Sequence, residues 1–260
     1  MYRQLVVSAV VPALNEEGAI AQVVTGLLAL RHEGESVVDH VVVCDNGSTD
    51  KSALRALAVG AQVVYAGVPG YGNACLTAIA ALPPSDVVLF VDGDRSCVPE
   101  QALRLLHGIA DGADLTIGSR VLGTQEAGAL TPAQRFGNWL ASRLIRLLWG
   151  ARVSDLGPYR AIRRTALARI AMRDRAFGWT VEMQVKAIQH GLDVREFPVD
   201  SLVRIGRSKI SGTVRGTVGA ARGILGTIFH LRLQQLLRRL PEGEVSPASV
   251  PSPQSSGGEG

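Results

Sequence analysis

The sequence predicts an α/β fold with a doubly wound, mostly parallel sheet, and three observations support this prediction. Short apolar segments alternate four times with segments of helical periodicity in the first 120 residues. Each apolar segment ends in polar residues, as strands of a buried parallel sheet do. The 260-residue chain is 47% hydrophobic, enough to bury one large core. In such folds ligands bind at the carboxyl edge of the sheet.

The predicted elements follow one another from the N-terminus. Strands are expected at residues 5–11, 37–44, 62–66, 87–91 and 115–119. Helices are expected at 19–31, at 51–59, from the Gly-rich loop 67–73 to Leu82, and after Pro99. After residue 120 the pattern changes, and the expected elements are a loop at 121–132, an amphipathic helix at 135–148, a helix at 180–191, a strand at 194–199 and a long helix at 214–240.

The strand Val87-Val-Leu-Phe-Val runs directly into two carboxylates, Asp92 and Asp94, which flank Gly93. Carboxylate oxygens at a strand end suit Mg²⁺ or Mn²⁺, and such a metal suits a diphosphate. On its own the pair is equally typical of a turn. The predicted topology adds polar residues of two other strand ends to the same edge, namely Asn15, Glu16 and Asp45.

Other motifs exclude several classes of site. The three cysteines form no C-x-x-C and indicate no disulfide framework, which fits a reducing cytosol. There is no H-E-x-x-H zinc motif and no P-loop, and Gly70-x-Gly72 lacks the third glycine of a dinucleotide fingerprint. This loop is either a tight turn before a helix or a ligand contact. The apolar N-terminal segment has no basic region before it, so we expect a strand there and not a signal peptide.

The charge is unevenly distributed. Residues 1–134 hold 7 Lys and Arg against 14 Asp and Glu, whereas residues 135–260 hold 20 against 9. This pattern is consistent either with arginines scattered over a solvated surface or with a basic half that faces phosphates or a lipid surface. Nucleic acid is a poorer fit, because no nucleic-acid-binding motif is present. The segment 214–240 is too charged to span a membrane but could lie at its interface.

Six motifs occur in an order that resembles the family 2 glycosyltransferases, which have the GT-A fold. The closest resemblance is to the polyprenyl-phosphate sugar synthases typified by dolichol-phosphate mannose synthase, over roughly residues 5–215. The motifs are Val11-Pro-Ala-Leu-Asn-Glu-Glu17, Asp45-Asn-Gly-Ser-Thr-Asp50, Asp92-Gly-Asp94, Gly118-Ser-Arg120, Asp155-Leu-Gly-Pro-Tyr-Arg160 and Arg204-Ile-Gly-Arg-Ser-Lys209.

The resemblance implies roles for individual residues. It places Asp92 and Asp94 at the metal. The residues implied to bind the nucleotide sugar are Pro12, Ala13, Leu14, Asn15, Glu16, Asp45, Asn46, Asp92 and Gly93. Those implied to bind phosphate or the acceptor are Arg120, Arg135, Arg160, Arg204, Ser208 and Lys209. Those implied to act in catalysis are Asp94, Arg120, Asp155 and Glu182.

The resemblance also implies a reaction. It is an inverting, Mg²⁺- or Mn²⁺-dependent transfer of a sugar from a GDP-mannose or UDP-glucose type of donor to a polyprenyl phosphate. The enzyme would be cytoplasmic and peripheral at the inner face of the membrane. The expected division is a GT-A domain at 1–212, a C-terminal helical, membrane-associated segment at 213–240 and a disordered, Pro/Ser/Gly-rich tail at 241–260.

Two alternatives stay open. A hydroxyl acceptor would need a carboxylate such as Asp155 or Glu182 as general base, whereas a phosphate acceptor is already ionised. A non-catalytic nucleotide-sugar-binding protein is the third reading, because Ser96 stands where the family often has Gln. The family's second motif usually begins Asp-Asp, but here Asn46 follows Asp45, and its Ser-Gly-Phe-Arg-like loop is Gly157-Pro-Tyr-Arg160.

Overall fold

The computed structural model describes residues 1–206 and 214–239. The strands are β1 (Val7–Ala13), β2 (Arg31–His32), β3 (Glu35–Ser36), β4 (His40–Asp45), β5 (Gln62–Tyr65), β6 (Val87–Phe90), β7 (Leu115–Ser119), β8 (Arg160–Arg163) and β9 (Val194–Pro198). The helices are α1 (Ile20–Ala29), α2 (Ser52–Ala58), α3 (Tyr71–Ala80), α4 (Ala102–Ala110), α5 (Pro132–Trp149), α6 (Arg164–Ile170), α7 (Trp179–Gln189) and α8 (Val214–Arg239).

The central sheet has seven strands in the order β5-β4-β1-β6-β8-β7-β9. All neighbouring pairs are parallel except those of β8, which runs antiparallel to both β6 and β7. The prediction of a mostly parallel α/β sheet is therefore confirmed. The strand β8 was not predicted, because its four residues, Arg-Ala-Ile-Arg, show no apolar run that would identify a buried strand.

Apolar side chains cover both faces of the sheet. On one face α1 and α4 contribute Val23, Leu27 and Leu105 to a core that continues into β1 and β4. On the other face α3 and α7 contribute Ala78 and Met183. Because β1 and β6 are buried on both faces, their sequences are apolar apart from Ser8 of β1, which is also buried.

The C-terminal helix α8 packs against α5 and α7. Its Ile228 and Leu231 are buried with Ile145 of α5 and Val185 of α7. The indole N–H of Trp149 donates to Gln235 Oε1 across the α5–α8 contact at 2.7 Å. The helix therefore docks on the protein through one part of its surface. Other apolar side chains of α8 are exposed, namely Val218, Phe229, Leu233, Leu236 and Leu237.

Of the helices that the structure describes, none is both long enough and apolar enough to cross a bilayer.

Candidate functional site

The carboxyl ends of three neighbouring parallel strands meet at one edge of the sheet. Asn15 and Glu16 follow β1, Asp45 ends β4, and Asp92 and Asp94 follow β6. Because β4, β1 and β6 are adjacent, the topology brings these polar residues together as predicted. Glu16, Asp45 and Asp94 are also buried, which is unusual for carboxylates without a role in binding or structure.

The loops after β1 and β4 are locked together by hydrogen bonds. Asn15, at a positive φ of 53°, donates its backbone N–H to Ser48 Oγ at 2.9 Å. Its side-chain Oδ1 accepts from the backbone N–H of Thr49 at 2.8 Å. Asp45 Oδ1 accepts from the backbone N–H of Ser48 at 2.7 Å. These hydrogen bonds fix the conformation of both loops without help from a ligand.

Asn46 and Glu16 also belong to the predicted nucleotide-binding residues, and they add hydrogen bonds to the same two loops. Asn46 donates its N–H to the carbonyl of Ala13 and accepts from the N–H of Gly70, both at 2.9 Å. The N–H of Glu16 donates to Ser52 Oγ at 2.7 Å. Pro12 and Leu14 flank Ala13 on β1 and the turn after it.

The turn that carries the two carboxylates packs tightly against β1. A Cβ added to Gly93 would lie 3.1 Å from Ile20 Cδ1 and 3.3 Å from the Pro12 carbonyl oxygen. Glycine at this position therefore lets the backbone between Asp92 and Asp94 approach the strand closely.

Asp92 and Asp94 have different partners. Asp92 Oδ1 accepts from the Tyr71 hydroxyl at 2.9 Å. Asp94 Oδ1 accepts from the N–H of Ser96 at 2.9 Å, and its Oδ2 pairs with the Arg204 guanidinium at 3.0 Å. Burial and the neighbouring charge of Asp94 raise the pKa of Asp92 to about 7. Crowded carboxylates of this kind would be stabilised by a cation between them.

This pair fits a divalent cation of the Mg²⁺ or Mn²⁺ type. Such ions are often held by one or two carboxylates, with substrate phosphates and water completing the shell. Within the described residues no group of three or more His, Cys, Asp or Glu side chains forms a complete metal cage. The arrangement therefore favours a cation that arrives with a phosphate-bearing substrate.

Arg120, which is partly buried, and Asp155, which is buried, form a bidentate ion pair. Asp155 Oδ2 accepts from both the backbone N–H and Nε of Arg120 at 2.8 Å, and Oδ1 accepts from its second guanidinium nitrogen at 2.7 Å. Burial raises the pKa of Asp155, but the hydrogen bonds and charge of Arg120 outweigh it, so the pKa lies below its usual value. Asp155 therefore orients Arg120 and is a weak base.

Arg160 has a structural environment. It is fully buried, and its guanidinium donates to the backbone carbonyls of Gly157 at 2.5 and 3.0 Å and of Thr180 at 2.8 Å. Burial lowers its pKa to about 10. These contacts tie β8 to α7, and they leave Arg160 poorly placed for the phosphate-binding role expected from the resemblance.

Glu182 holds a loop beside the site. Its carboxylate accepts from the backbone N–H groups of Arg173 and Asp174 at 2.7 to 3.1 Å and pairs with Lys186 at 2.7 Å. The loop then lies over the start of α3: a Cβ on Gly72 would lie 2.1 Å from the Asp174 carbonyl oxygen. Glycine at position 72 is thus required, because a side chain there would collide with the backbone of this loop.

Tyr71 is a site residue that sequence reasoning missed. It lies between the two glycines of the Gly-rich loop, and its hydroxyl binds Asp92. Burial and the Asp92 charge raise the pKa of Tyr71 well above its ordinary value, so it stays a neutral donor. The sequence signal that could have identified Tyr71 is its place in Gly70-Tyr71-Gly72, at the start of the helix that precedes β6.

Arg135 is exposed on α5 and lines a different cavity from Asp92 and Arg120. Arg204 lies at the acidic pair, where it pairs with Asp94. The predicted acceptor-binding residues Ser208 and Lys209 lie outside the described residues.

A cavity of about 280 Å³ extends from the acidic pair. Its polar end contains Asp92, Arg120 and Arg204. Its apolar walls come from α5, α8 and the loops beside them, and they include Leu130, Ala133, Leu156, Phe177, Ala220, Ala221 and Ile224. The cavity thus joins a charged end to an apolar passage between two helices.

Comparison with known proteins gives a consistent picture. The glycosyl transferase family 2 model matches residues 8–171. A dolichyl-phosphate hexose transferase of Haloferax volcanii is 31% identical over 221 residues, which are 85% of this chain and 92% of that protein. An uncharacterized glycosyltransferase of Mycobacterium tuberculosis is 34% identical over 214 residues, covering 82% of this chain and 93% of that protein.

Solved structures share the fold. Glucosyl-3-phosphoglycerate synthase from M. tuberculosis, in complex with Mn²⁺, UDP-glucose and phosphoglyceric acid, superimposes with a TM-score of 0.72. The match covers 88% of this chain and 80% of that chain at 24% identity. The predicted GT-A fold is therefore confirmed.

Proposed function

Because the chain belongs to glycosyltransferase family 2, we propose that it transfers a hexose from a nucleoside-diphosphate sugar to a polyprenyl phosphate. The observation that carries this proposal is the cavity with one charged end and an apolar passage. A phosphate group matches the charged end, and an isoprenoid chain matches the passage. The dolichyl-phosphate hexose transferase of H. volcanii supports the same acceptor class by its similarity.

The donor is proposed to bind at the sheet edge. The cradle formed by the loops after β1 and β4 would hold the nucleoside, with Asp45 at its base. Asp92 and Asp94 would hold a divalent cation, whose charge stabilises the departing diphosphate when it is bound. Mn²⁺ and UDP-glucose in the structural neighbour support a metal and a UDP-sugar, and a GDP-sugar stays the other member of the proposed donor class.

The acceptor phosphate is proposed to bind between Arg120 and Arg204. Asp155 holds the guanidinium of Arg120 in a fixed orientation, so little side-chain entropy is lost when a phosphate arrives. Arg204 is 29% exposed and lies at the same end of the cavity. Two fixed guanidinium groups give charge-assisted hydrogen bonds to phosphate oxygens.

The two carboxylates named above as candidate bases for a hydroxyl acceptor, Asp155 and Glu182, are both engaged. Asp155 is paired with Arg120 and has a lowered pKa, and Glu182 is bound to Lys186 and two backbone amides. A phosphate acceptor needs neither of them, because its oxygen is already ionised at neutral pH. Positioning and electrostatic stabilisation then supply most of the rate enhancement. A lipid phosphate is therefore favoured over a hydroxyl acceptor.

An acceptor panel tests the proposal. Purified protein with Mn²⁺ or Mg²⁺ is incubated with UDP-glucose or GDP-mannose and one of three acceptors: a polyprenyl phosphate, the matching polyprenol, or 3-phosphoglycerate. We expect product only with the polyprenyl phosphate. Product with the polyprenol or with 3-phosphoglycerate, and none with the polyprenyl phosphate, would replace the proposed acceptor. Nucleotide-sugar binding without turnover on any acceptor would support the non-catalytic reading.

The proposed acceptor also requires contact with a membrane. We propose that the enzyme binds peripherally at the inner face through α5, where Phe136, Trp139 and Leu147 are exposed. In this proposal residues 1–212 form the transferase domain, and the segment 213–240 completes the acceptor passage through Ala221 and Ile224.

A further inference from the structure

A second cavity lies beside α5, apart from the acidic pair. Its volume is about 590 Å³, and it shares only Leu130 and Asn138 with the lining of the first cavity. The proposed nucleotide- and metal-binding residues do not line it. Its walls are instead formed by α5, by the loop after β7, and by residues 152–154.

Four arginines line this second cavity: Arg135, Arg143, Arg146 and Arg152. Among residues 1–206 and 214–239, none of them lies within ion-pair distance of a carboxylate. All four arginines are exposed, so solvent screens their mutual repulsion, but their combined positive charge attracts an anion into the cavity. The cluster is therefore an electrostatic site for a negatively charged ligand.

The helix dipole does not explain the cluster. A cation is favoured in the last turn of a helix, where Arg146 lies, but it is disfavoured in the first turn, where Arg135 lies. Arg143 is held over the Trp139 ring, 5.6 Å from its centroid, which limits its movement. The arginines thus come from both ends of α5 and from the segment after it.

Polar side chains other than the arginines also line the cavity. Ser142 is one of them, but its Oγ is buried and lies out of reach of a ligand in the open cavity. Glu196 is the one carboxylate among the lining residues, and it accepts hydrogen bonds from the backbone N–H of Ser154 at 3.0 and 3.1 Å. The Glu196 carboxylate is therefore directed at the backbone of Ser154.

We propose that this cavity is a second phosphate-binding site, centred on Arg143, Arg146 and Arg152. Guanidinium groups bind phosphate oxygens in bidentate geometry. The phosphate has two available sources, the headgroup of an anionic phospholipid and a soluble phosphate compound. The site goes beyond the proposed transfer reaction, because it is separate from the acidic pair and needs neither donor nor metal.

The test compares two double variants in the full chain. Arg146→Gln with Arg152→Gln removes half of the cluster, and neither residue belongs to the proposed transfer site. Arg3→Gln with Arg169→Gln is the control, since it removes the same charge from exposed arginines at the opposite edge of the sheet. Inorganic phosphate binding is measured by calorimetry, and UDP-glucose binding with Mn²⁺ is measured in parallel.

We expect the cavity variant to bind inorganic phosphate about tenfold or more weakly than the wild type, as loss of charge-assisted hydrogen bonds implies. UDP-glucose binding should be unchanged in both variants, which separates this result from a failure of the transfer site. A melting temperature equal to that of the control excludes misfolding as the cause.

A vesicle arm identifies the source of the phosphate. The same proteins are mixed with phosphatidylglycerol vesicles or with phosphatidylcholine vesicles as the neutral control. Weaker binding of the cavity variant to the anionic vesicles supports the site and assigns a lipid headgroup. Unchanged vesicle binding with weaker inorganic phosphate binding supports the site and assigns a soluble ligand. If the cavity variant matches the control with both probes, the proposed site is wrong.

Discussion

Asp94 pairs with Arg204 and is proposed to hold the metal. Asp94→Asn keeps the shape of the side chain but removes its charge, so we expect turnover to fall about 100-fold or more, the scale seen when one electrostatic contributor is removed. Mn²⁺-dependent nucleotide binding should weaken in parallel, while the melting curve stays cooperative. Asp193→Asn, an exposed carboxylate paired with Arg195, is the matched control. Unchanged metal dependence in Asp94→Asn would contradict the metal assignment.

Because Arg204 pairs with Asp94, its replacement is expected to change Mn²⁺ affinity and turnover in opposite directions. Arg204 competes with a cation for Asp94 Oδ2, so Arg204→Gln should strengthen Mn²⁺ binding in the absence of nucleotide. A partly exposed pair contributes up to about 1 kcal/mol, which corresponds to about fivefold in affinity. Turnover should nevertheless fall, because Arg204 is proposed to meet phosphate.

Calorimetric Mn²⁺ titration and steady-state kinetics measure the two effects of Arg204→Gln separately. Arg204→Lys retains a positive charge and should show a smaller gain in Mn²⁺ affinity. Weaker Mn²⁺ binding in Arg204→Gln would mean that the arginine supports the cation site and does not compete with it.

The pair of Arg120 and Asp155 predicts a pH dependence of stability. The pKa of Asp155 is lower in the folded protein than in the unfolded chain, so its contribution to the free energy of unfolding is complete above the unfolded pKa, about 4, and is lost as pH falls through the folded value. Asp155→Asn should lower the free energy of unfolding by about 2 to 3 kcal/mol at pH 7.

Urea denaturation at pH 7 and at pH 3.5 tests this dependence. The difference between wild type and Asp155→Asn should be smaller at the lower pH, because Asp155 in the unfolded wild-type chain is then partly protonated. A difference that is equal at both pH values would show that Asp155 contributes through packing and not through its charge.

The sequence identified the strand-end residues, but it did not indicate the direction of the long side chains. Asp92 and Asp94 were identifiable because an apolar strand ends on them, and parallel topology alone gathers such ends. Arg160 follows a recognisable loop, yet its guanidinium turns inward to backbone carbonyls. A sequence pattern does not determine the direction of a long side chain, which depends on contacts between residues distant in the chain.

At the scale of elements, α8 forms part of the wall of the proposed acceptor passage. Leu231 is buried against α5 and α7, whereas Leu237 on the same helix is 57% exposed. Leu231→Ala should cost about 2 to 4 kcal/mol of helix docking, and Leu237→Ala should cost little. Hydrogen exchange should rise in α8 of Leu231→Ala before it rises in the sheet. Equal exchange in the two variants would contradict docking of α8 through Leu231.

The elements whose boundaries the sequence predicted most accurately are strands made of short apolar runs. The boundaries of β5, β6 and β7 lie within one residue of the prediction, because these strands are short apolar runs bounded by turn residues. The antiparallel strand β8 was missed because it has two arginines in four residues. The sequence also did not show what α8 packs against, because an apolar stripe on a helix can be covered by protein or by lipid.

At the scale of the whole molecule, the uneven charge predicts reversible binding to anionic membranes. The basic half includes α5, where Phe136 and Trp139 stack with ring centroids 5.8 Å apart and are both more than half exposed. Each basic residue near an anionic surface is worth about 1 kcal/mol, and exposed aromatic rings insert at the interface. The protein should therefore float with anionic vesicles at low salt and remain behind at 1 M salt, where the Debye length is about 3 Å.

Phe136→Ser with Trp139→Ser separates insertion from charge. This double variant keeps every arginine, so it should retain weak binding at low salt but bind anionic vesicles about tenfold less tightly, since two rings no longer leave water. Leu54→Ser with Leu57→Ser, two exposed leucines on α2, is the matched control and should float like the wild type. If the aromatic variant floats as well as this control, α5 does not contact the membrane through its ring pair. Flotation that also persists at 1 M salt would contradict the electrostatic component of the proposal.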